Sequence, residues 1–196
     1  MSATNHNKRR VAVLISGRGS NMLALAHAAQ ADDYPAEIAL VISNRPNAAG
    51  LEKARNMGIE ALTIDHKDYP SRESFENDLH ETLSDANIDI VCCAGFMRVL
   101  TPFFTRLWPY KILNVHPSLL PKYKGLHTHK RALEAKDTVH GCTVHYVNEE
   151  LDGGAIIKQA QIDILPSDTE NSLAKRLIPI EHSLYVESLK SVCQNH

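Results

Sequence analysis

The segment Val11-Ala12-Val13-Leu14-Ile15-Ser16-Gly17-Arg18-Gly19-Ser20-Asn21 sets the architecture expected of this 196-residue chain. Its first five residues are apolar with no polar face, which reads as a strand covered on both sides in a parallel sheet. Two glycines then permit a tight turn, and a stretch of helical period runs from Asn21 to about Ala31. The free N–H groups at such a helix start point at an anion, most naturally a phosphate. The dinucleotide fingerprint fails at its last position, where Met22 replaces glycine, and the next apolar run ends Ile42-Ser43-Asn44 without the acid that holds a ribose hydroxyl. A Walker A loop is absent too, since no Gly-Lys-Ser/Thr follows. A glycine turn that only joins strand to helix is the plainer reading; phosphate binding without a dinucleotide is the sharper one.

Outward from this turn the pattern repeats. Ile38–Ile42, Ala61–Ile64, Ile88–Ala94 and Ile112–Val115 read as further buried strands, with helical stretches at about Ala48–Met57 and Ser71–Ala86 between them. Phe75, Leu79 and Leu83 share one face of the latter. Crossovers of this length force parallel pairing. Past Val115, Cys142–Val147 and Ala155–Ile164 flank the turn Leu151-Asp152-Gly153-Gly154 and are expected to pair antiparallel. A terminal helix is predicted from Asp168, its N-cap candidate, with a kink at Pro179. The expected fold is α/β: a single-domain open, mostly parallel twisted sheet with helices on both faces, Rossmann-like, with an antiparallel strand pair in the C-terminal half. Residues 1–10 are expected to form a disordered arm ahead of this single domain.

Composition narrows the function. With 21 Lys+Arg against 23 Asp+Glu the net charge is −2, which gives no electrostatic reason to bind nucleic acid or an anionic membrane. The longest apolar runs are about five residues, far short of the roughly 20 that span a bilayer. Lys8-Arg9-Arg10 precedes too short an apolar run for a signal peptide. Cysteines 92, 93, 142 and 193 include an adjacent pair inside an apolar run, as buried free thiols do, which suggests a reducing cytoplasm. His127, His129, His140, Cys142 and His145 fit no common zinc spacing, with His127-x-His129 expected in a loop, so no metal is expected.

The chemistry is expected at Asn114-Val115-His116-Pro117. Asn114 and His116 alternate with Leu113 and Val115, so both polar side chains leave the same side of one strand near its carboxyl end, where open α/β sheets collect ligands. The Asn114 amide can hydrogen-bond an oxygen that gains negative charge, and His116 can move protons near neutral pH. Asp152, in its glycine-rich turn, would raise the His116 pKa and fix the ring if it came near. Spacing alone leaves open whether it does. An Asp in Asp-Gly-Gly is most often only a turn residue.

Four motifs together resemble the glycinamide ribonucleotide formyltransferase family: Ser16-Gly17-Arg18-Gly19-Ser20-Asn21, Ala94-Gly95-Phe96-Met97-Arg98-Val99-Leu100, Asn114-Val115-His116-Pro117-Ser118-Leu119-Leu120-Pro121 and Glu150-Leu151-Asp152-Gly153-Gly154. Gly125-Leu126-His127-Thr128-His129 adds to the likeness, which runs from Val11 to about Tyr185. The resemblance implies formyl transfer from 10-formyltetrahydrofolate to the amine of glycinamide ribonucleotide, in purine biosynthesis, with protonated His116 stabilising the intermediate. It implies Asn114, His116 and Asp152 as the catalytic trio and Gly19, Ser20, Asn21, Gly125 and Glu181 as contacts of the ribonucleotide. Arg72, Met97, Arg98, Val99, Leu100 and Asn114 match the folate site, and the resemblance implies a nucleotide-binding half at about 11–110 and a folate and catalytic half at about 111–196. Small-molecule substrates are the only partners implied, for a monomer or homodimer. Ile178 and Pro179 depart from the family pattern just before Glu181, and the end at His196 comes early, beyond every matched motif. A deformylase, a methionyl-tRNA formyltransferase-like enzyme or a non-catalytic nucleotide-binding relative are the rival expectations.

Overall fold

The computed structural model describes residues 8–195. Seven strands form one sheet in the order β3-β2-β1-β4-β5-β6-β7: β1 Arg9–Ile15, β2 Ala36–Ser43, β3 Glu60–Thr63, β4 Ile90–Cys93, β5 Ile112–His116, β6 Val139–Tyr146 and β7 Ile156–Asp163. Pairing is parallel from β3 through β5, as the crossover lengths predict, and antiparallel at β6–β7, as the turn at Asp152 predicts; the antiparallel pairing of β5 with β6 goes beyond the expected strand pair. The first strand starts at Arg9, two residues before the apolar run. The Lys8 ammonium donates to the Ala29 and Ala31 carbonyls, at 3.2 and 2.8 Å, so the expected arm does not extend to residues 8–10. Residues 1–7 of that arm lie outside the described residues.

The alternation of β1 decides the layering. Val11, Val13 and Ile15 face a core closed by helices α1 (Ser20–Ala29), α2 (Ala49–Asn56) and α6 (Glu170–Asn195). Ala12 and Leu14 face the opposite core, with Phe75, Leu79 and Leu83 of α3 (Arg72–Asp85) and Phe104 of α4 (Pro102–Leu107). Two helices escaped the sequence reading because they are short: α4, and α5 (Thr128–Glu134). Glu76 is buried in α3, where its carboxylate accepts from both the N–H and the hydroxyl of Thr101 and so pins the chain between β4 and α4.

Asp168 is not the cap of α6. Thr169 takes that place, its hydroxyl accepting from the Ser172 N–H at 3.2 Å while the Ser172 hydroxyl accepts from the Thr169 N–H at 2.9 Å. Asp168, one residue earlier, binds Leu165, Ser172 and Arg176 instead. The helix continues through Pro179, whose missing N–H deprives the Lys175 carbonyl of its intrahelical donor. Among the described residues no helix is long and apolar enough to cross a membrane.

Candidate active site

The strand order reverses direction between β1 and β4, and the segments that leave these two strands at the carboxyl edge flank this switch point, where the crevice of an open α/β sheet takes its ligand. Gly19 precedes α1 at φ 70°, and no side chain caps the helix, so its first N–H groups are left for a ligand. A Cβ on Gly19 would lie 2.9 Å from the Gly50 Cα, so glycine is required there by both conformation and space. The start of α2 braces the turn: the Gly50 N–H donates to the Gly17 carbonyl at 3.0 Å and the Lys53 ammonium to the Arg18 carbonyl at 2.9 Å. The Asn21 amide donates to the Glu181 carboxylate at 3.2 Å, while its buried Oδ1 has no partner. Burial raises the Glu181 pKa, and the Asn21 hydrogen bond offsets this only in part. Ser20, on the first turn of α1, is exposed.

On the other side of the crevice, the Met97 N–H donates to the Ser16 hydroxyl at 2.8 Å, and that hydroxyl donates to the Asn44 carboxamide. This buried link holds the turn after β1 against the segment after β4. Met97 and Val99 expose 61% and 55% of their surface, high for apolar side chains beside a cleft, whereas Leu100 is packed into the core with Phe75. The Arg98 guanidinium lies 5.6 Å from the Phe75 ring centroid, and its Nε is buried without a partner. Arg72 is exposed on the first turn of α3, and among the described residues no hydrogen bond or ion pair joins it to the other candidates.

The rim of β5 and β6 brings the catalytic candidates together. His116 Nδ1 lies 3.5 Å from Asp152 Oδ2, with both side chains almost fully buried. Asn114 does not touch Asp152 directly. His145 stands between them, its Nε2 at 3.3 Å from the Asn114 Nδ2 and 3.6 Å from Asp152 Oδ1. The ring is oriented by its Nδ1, which donates to the Tyr146 carbonyl at 2.8 Å, so Nε2 is the nitrogen that faces both the Asn114 carboxamide and the Asp152 carboxylate. The sequence reading missed His145. The signal was present: antiparallel pairing sets Asn114 opposite His145, on the same face of the sheet. It also missed Tyr123, whose carbonyl accepts from His116 Nε2 at 2.9 Å, and it could not tell that the Gly125 N–H donates to Asp152 Oδ2 at 2.8 Å.

Electrostatics corrects one expectation. Burial is the largest influence on His116 and lowers its pKa below 6.5, outweighing the Tyr123 carbonyl and Asp152, which act upward. The ring is neutral at pH 7, with the proton on Nε2 and the lone pair of Nδ1 turned toward Asp152. Burial opposes ionisation of Asp152, but hydrogen bonds from His145 and the Gly125 N–H hold its carboxyl below the usual range. His127 lies in a loop as expected, preceding α5 at φ 60°, but His129 lies within that helix, 3.0 Å from His140. Among the described residues no group of three or more His, Cys, Asp or Glu side chains is placed to hold a metal ion.

Residues 9–189 match the family model described as formyl transferase. The chain belongs to this family. It is 43% identical over 177 residues to the phosphoribosylglycinamide formyltransferase of Haemophilus influenzae, covering 90% of this chain and 84% of that one. It is 49% identical over 187 residues to the trifunctional purine biosynthetic protein adenosine-3 of Drosophila melanogaster, but spans only 14% of that protein's length. The crystal structure of phosphoribosylglycinamide formyltransferase from Brucella melitensis superposes with a TM-score of 0.92 at 45% identity, over 95% of this chain and 96% of that one. The mixed seven-stranded sheet is thus the formyltransferase fold.

Proposed function

We propose that this formyl transferase moves the formyl group of 10-formyltetrahydrofolate to the amine of glycinamide ribonucleotide, in the cytoplasm, as a step of purine biosynthesis. The observation that carries the reading is the approach of His116 Nδ1 to Asp152 within 3.5 Å at the sheet rim, beside Asn114. In this reading the turn Gly19-Ser20-Asn21 holds the ribonucleotide phosphate. Glu181 and Gly125 contact the same substrate, and the exposed Met97 and Val99, with Arg98, Leu100 and Arg72, line the folate site. The unpartnered Asn21 Oδ1 and Arg98 Nε are atoms that a bound substrate would satisfy. Each substrate draws on both halves of the chain, so a division into a nucleotide half and a folate half is too simple.

The amine attacks the formyl carbon, and the carbonyl π pair moves to oxygen. The Asn114 carboxamide, held beside His145, has an N–H to donate to that oxygen as it becomes negative. Neutral His116 takes the proton from the attacking nitrogen at Nδ1. The imidazolium so formed faces the Asp152 carboxylate, which stabilises a charge absent from the resting site. Return of that proton to the departing folate nitrogen, as its bond to the formyl carbon breaks, completes the transfer. Alignment of amine and formyl group supplies much of the acceleration, up to about 7–11 kcal/mol in well-oriented systems.

The test mixes the protein with a 10-formyl dideazafolate, with and without glycinamide ribonucleotide, and follows the absorbance change as the analogue loses its formyl group. Release of the deformylated analogue only when the ribonucleotide is present is the expected result. Release without it would make the protein a deformylase, and no release in either case would leave a nucleotide-binding relative without chemistry.

A further inference from the structure

Tyr123 is the least expected support of the site. Its carbonyl fixes which nitrogen of His116 carries the proton, yet its backbone sits at φ 57°, a region that non-glycine residues rarely adopt and that must be held by something else. Three groups hold it. The phenol donates to Asp137 Oδ2 at 2.8 Å, the Arg131 guanidinium lies 5.1 Å from the ring centroid, and the Lys122 ammonium lies 5.9 Å from it. Lys122 also reaches both Asp137 oxygens at 3.1 Å, so one carboxylate ties down two consecutive residues of the segment that carries the carbonyl. The Ser118 hydroxyl, two residues past His116, donates to the Lys122 carbonyl at 2.6 Å and closes the loop.

Asp137 itself is fixed. It lies in the short connection from α5 to β6, and its N–H donates to the Ala132 carbonyl at the end of α5. From these contacts we infer that Asp137 is a positioning residue for His116, acting through the phenol and main chain of Tyr123. Asp137 does not touch the reacting groups. It sets the direction of the Tyr123 carbonyl, which keeps the His116 proton on Nε2 and leaves Nδ1 open toward Asp152. A displacement of that carbonyl by a fraction of its 2.9 Å bond length would free the ring to turn or to change tautomer. This role rests on the transfer reaction proposed above.

The experiment pairs steady-state kinetics with the ring nitrogen resonances of His116 in the full chain. Asp137→Ala is expected to lower kcat between roughly tenfold and a hundredfold, with both KM values within about twofold of the parent, and to move the His116 signals away from the Nε2-protonated pattern. Tyr123→Phe should do the same, and the double variant should lose no more than either alone, because both break one link. Asp137→Asn keeps an acceptor for the phenol and should retain most of kcat and the parental signals. An Asp137→Ala variant with unchanged kcat and unchanged resonances overturns the inference. So does one whose kcat falls while the resonances stay in place. Absence of any turnover in the parent protein defeats the transfer reaction instead, and the resonances of the variants still decide whether Asp137 places His116.

Discussion

The turn after β1 offers its ligand main-chain groups, whereas the rim of β5 and β6 offers side chains. At the turn, every feature needed lies within a few residues: a buried strand, a glycine at φ 70° and an uncapped helix start. At the rim, Asn114 and His116 depend on residues from four other places in the chain: the Tyr123 carbonyl, the Gly125 N–H, His145 on β6 and Asp152 in the following turn. Main-chain recognition is therefore sensitive to backbone conformation at one point. The side-chain site is sensitive to protonation and to the aim of several groups at once.

This contrast can be broken most forcefully at the rim. His116→Ala should leave the fold intact while turnover falls by roughly 10²–10⁴, the usual contribution of a proton-transferring side chain. Circular dichroism and a stopped or continuous assay check both halves of that statement, and near-normal turnover would remove His116 from the mechanism. At the turn, Gly19→Ala places a Cβ 2.9 Å from the Gly50 Cα at a left-handed φ. The conformation alone costs about 1–2 kcal/mol. The KM for the ribonucleotide should rise several-fold with little change for the folate analogue; equal changes in both would mean that the turn does not serve one substrate.

Acid sharpens the comparison further, because the rim works through titrating side chains whereas the turn itself offers main-chain N–H groups. The His116 pKa is depressed by burial, so kcat/KM should rise with pH through an inflection below 6.5, as the ring loses its proton. A profile that instead falls across that interval would require a protonated resting ring. The same sign governs stability. His129 is lowered and His140 is held at about 4, both by burial, so below the unfolded value of 6.5 the unfolded chain binds more protons than the native one. Stability present at pH 7 should decline as the pH falls toward about 4, and denaturant melts that do not change over this range would contradict the assignment. The smallest effect is expected away from both regions. Thr169→Ala removes the cap of α6 and should lower stability by about 1 kcal/mol with unaltered kinetics, whereas Asp168→Ala breaks different bonds and is not equivalent.

Much of the molecule was legible before any coordinates. Strand positions followed from unbroken apolar runs, and the antiparallel return of β6 and β7 followed from the glycine-rich turn at Asp152. What failed did so for separate physical reasons. Short helices such as α5 carry too few turns to show a period. The Thr169 cap was misplaced by one residue because Asp168 and Thr169 are both good capping types. The His116 pKa was expected to rise because a charge partner can be guessed from composition, whereas the extent of burial cannot.

The amino-acid order alone determined the alternation of buried strands and helices, the glycine turn after β1 and the side chains able to move a proton or hold an oxyanion. These rest on local rules of backbone geometry and periodicity. Only the tertiary structure decided that His145 bridges Asn114 to Asp152, that Tyr123 chooses the His116 tautomer and that the ring rests neutral. Each of those depends on desolvation and on hydrogen bonds between distant segments, and such energies exist only once the sheet has brought the segments together.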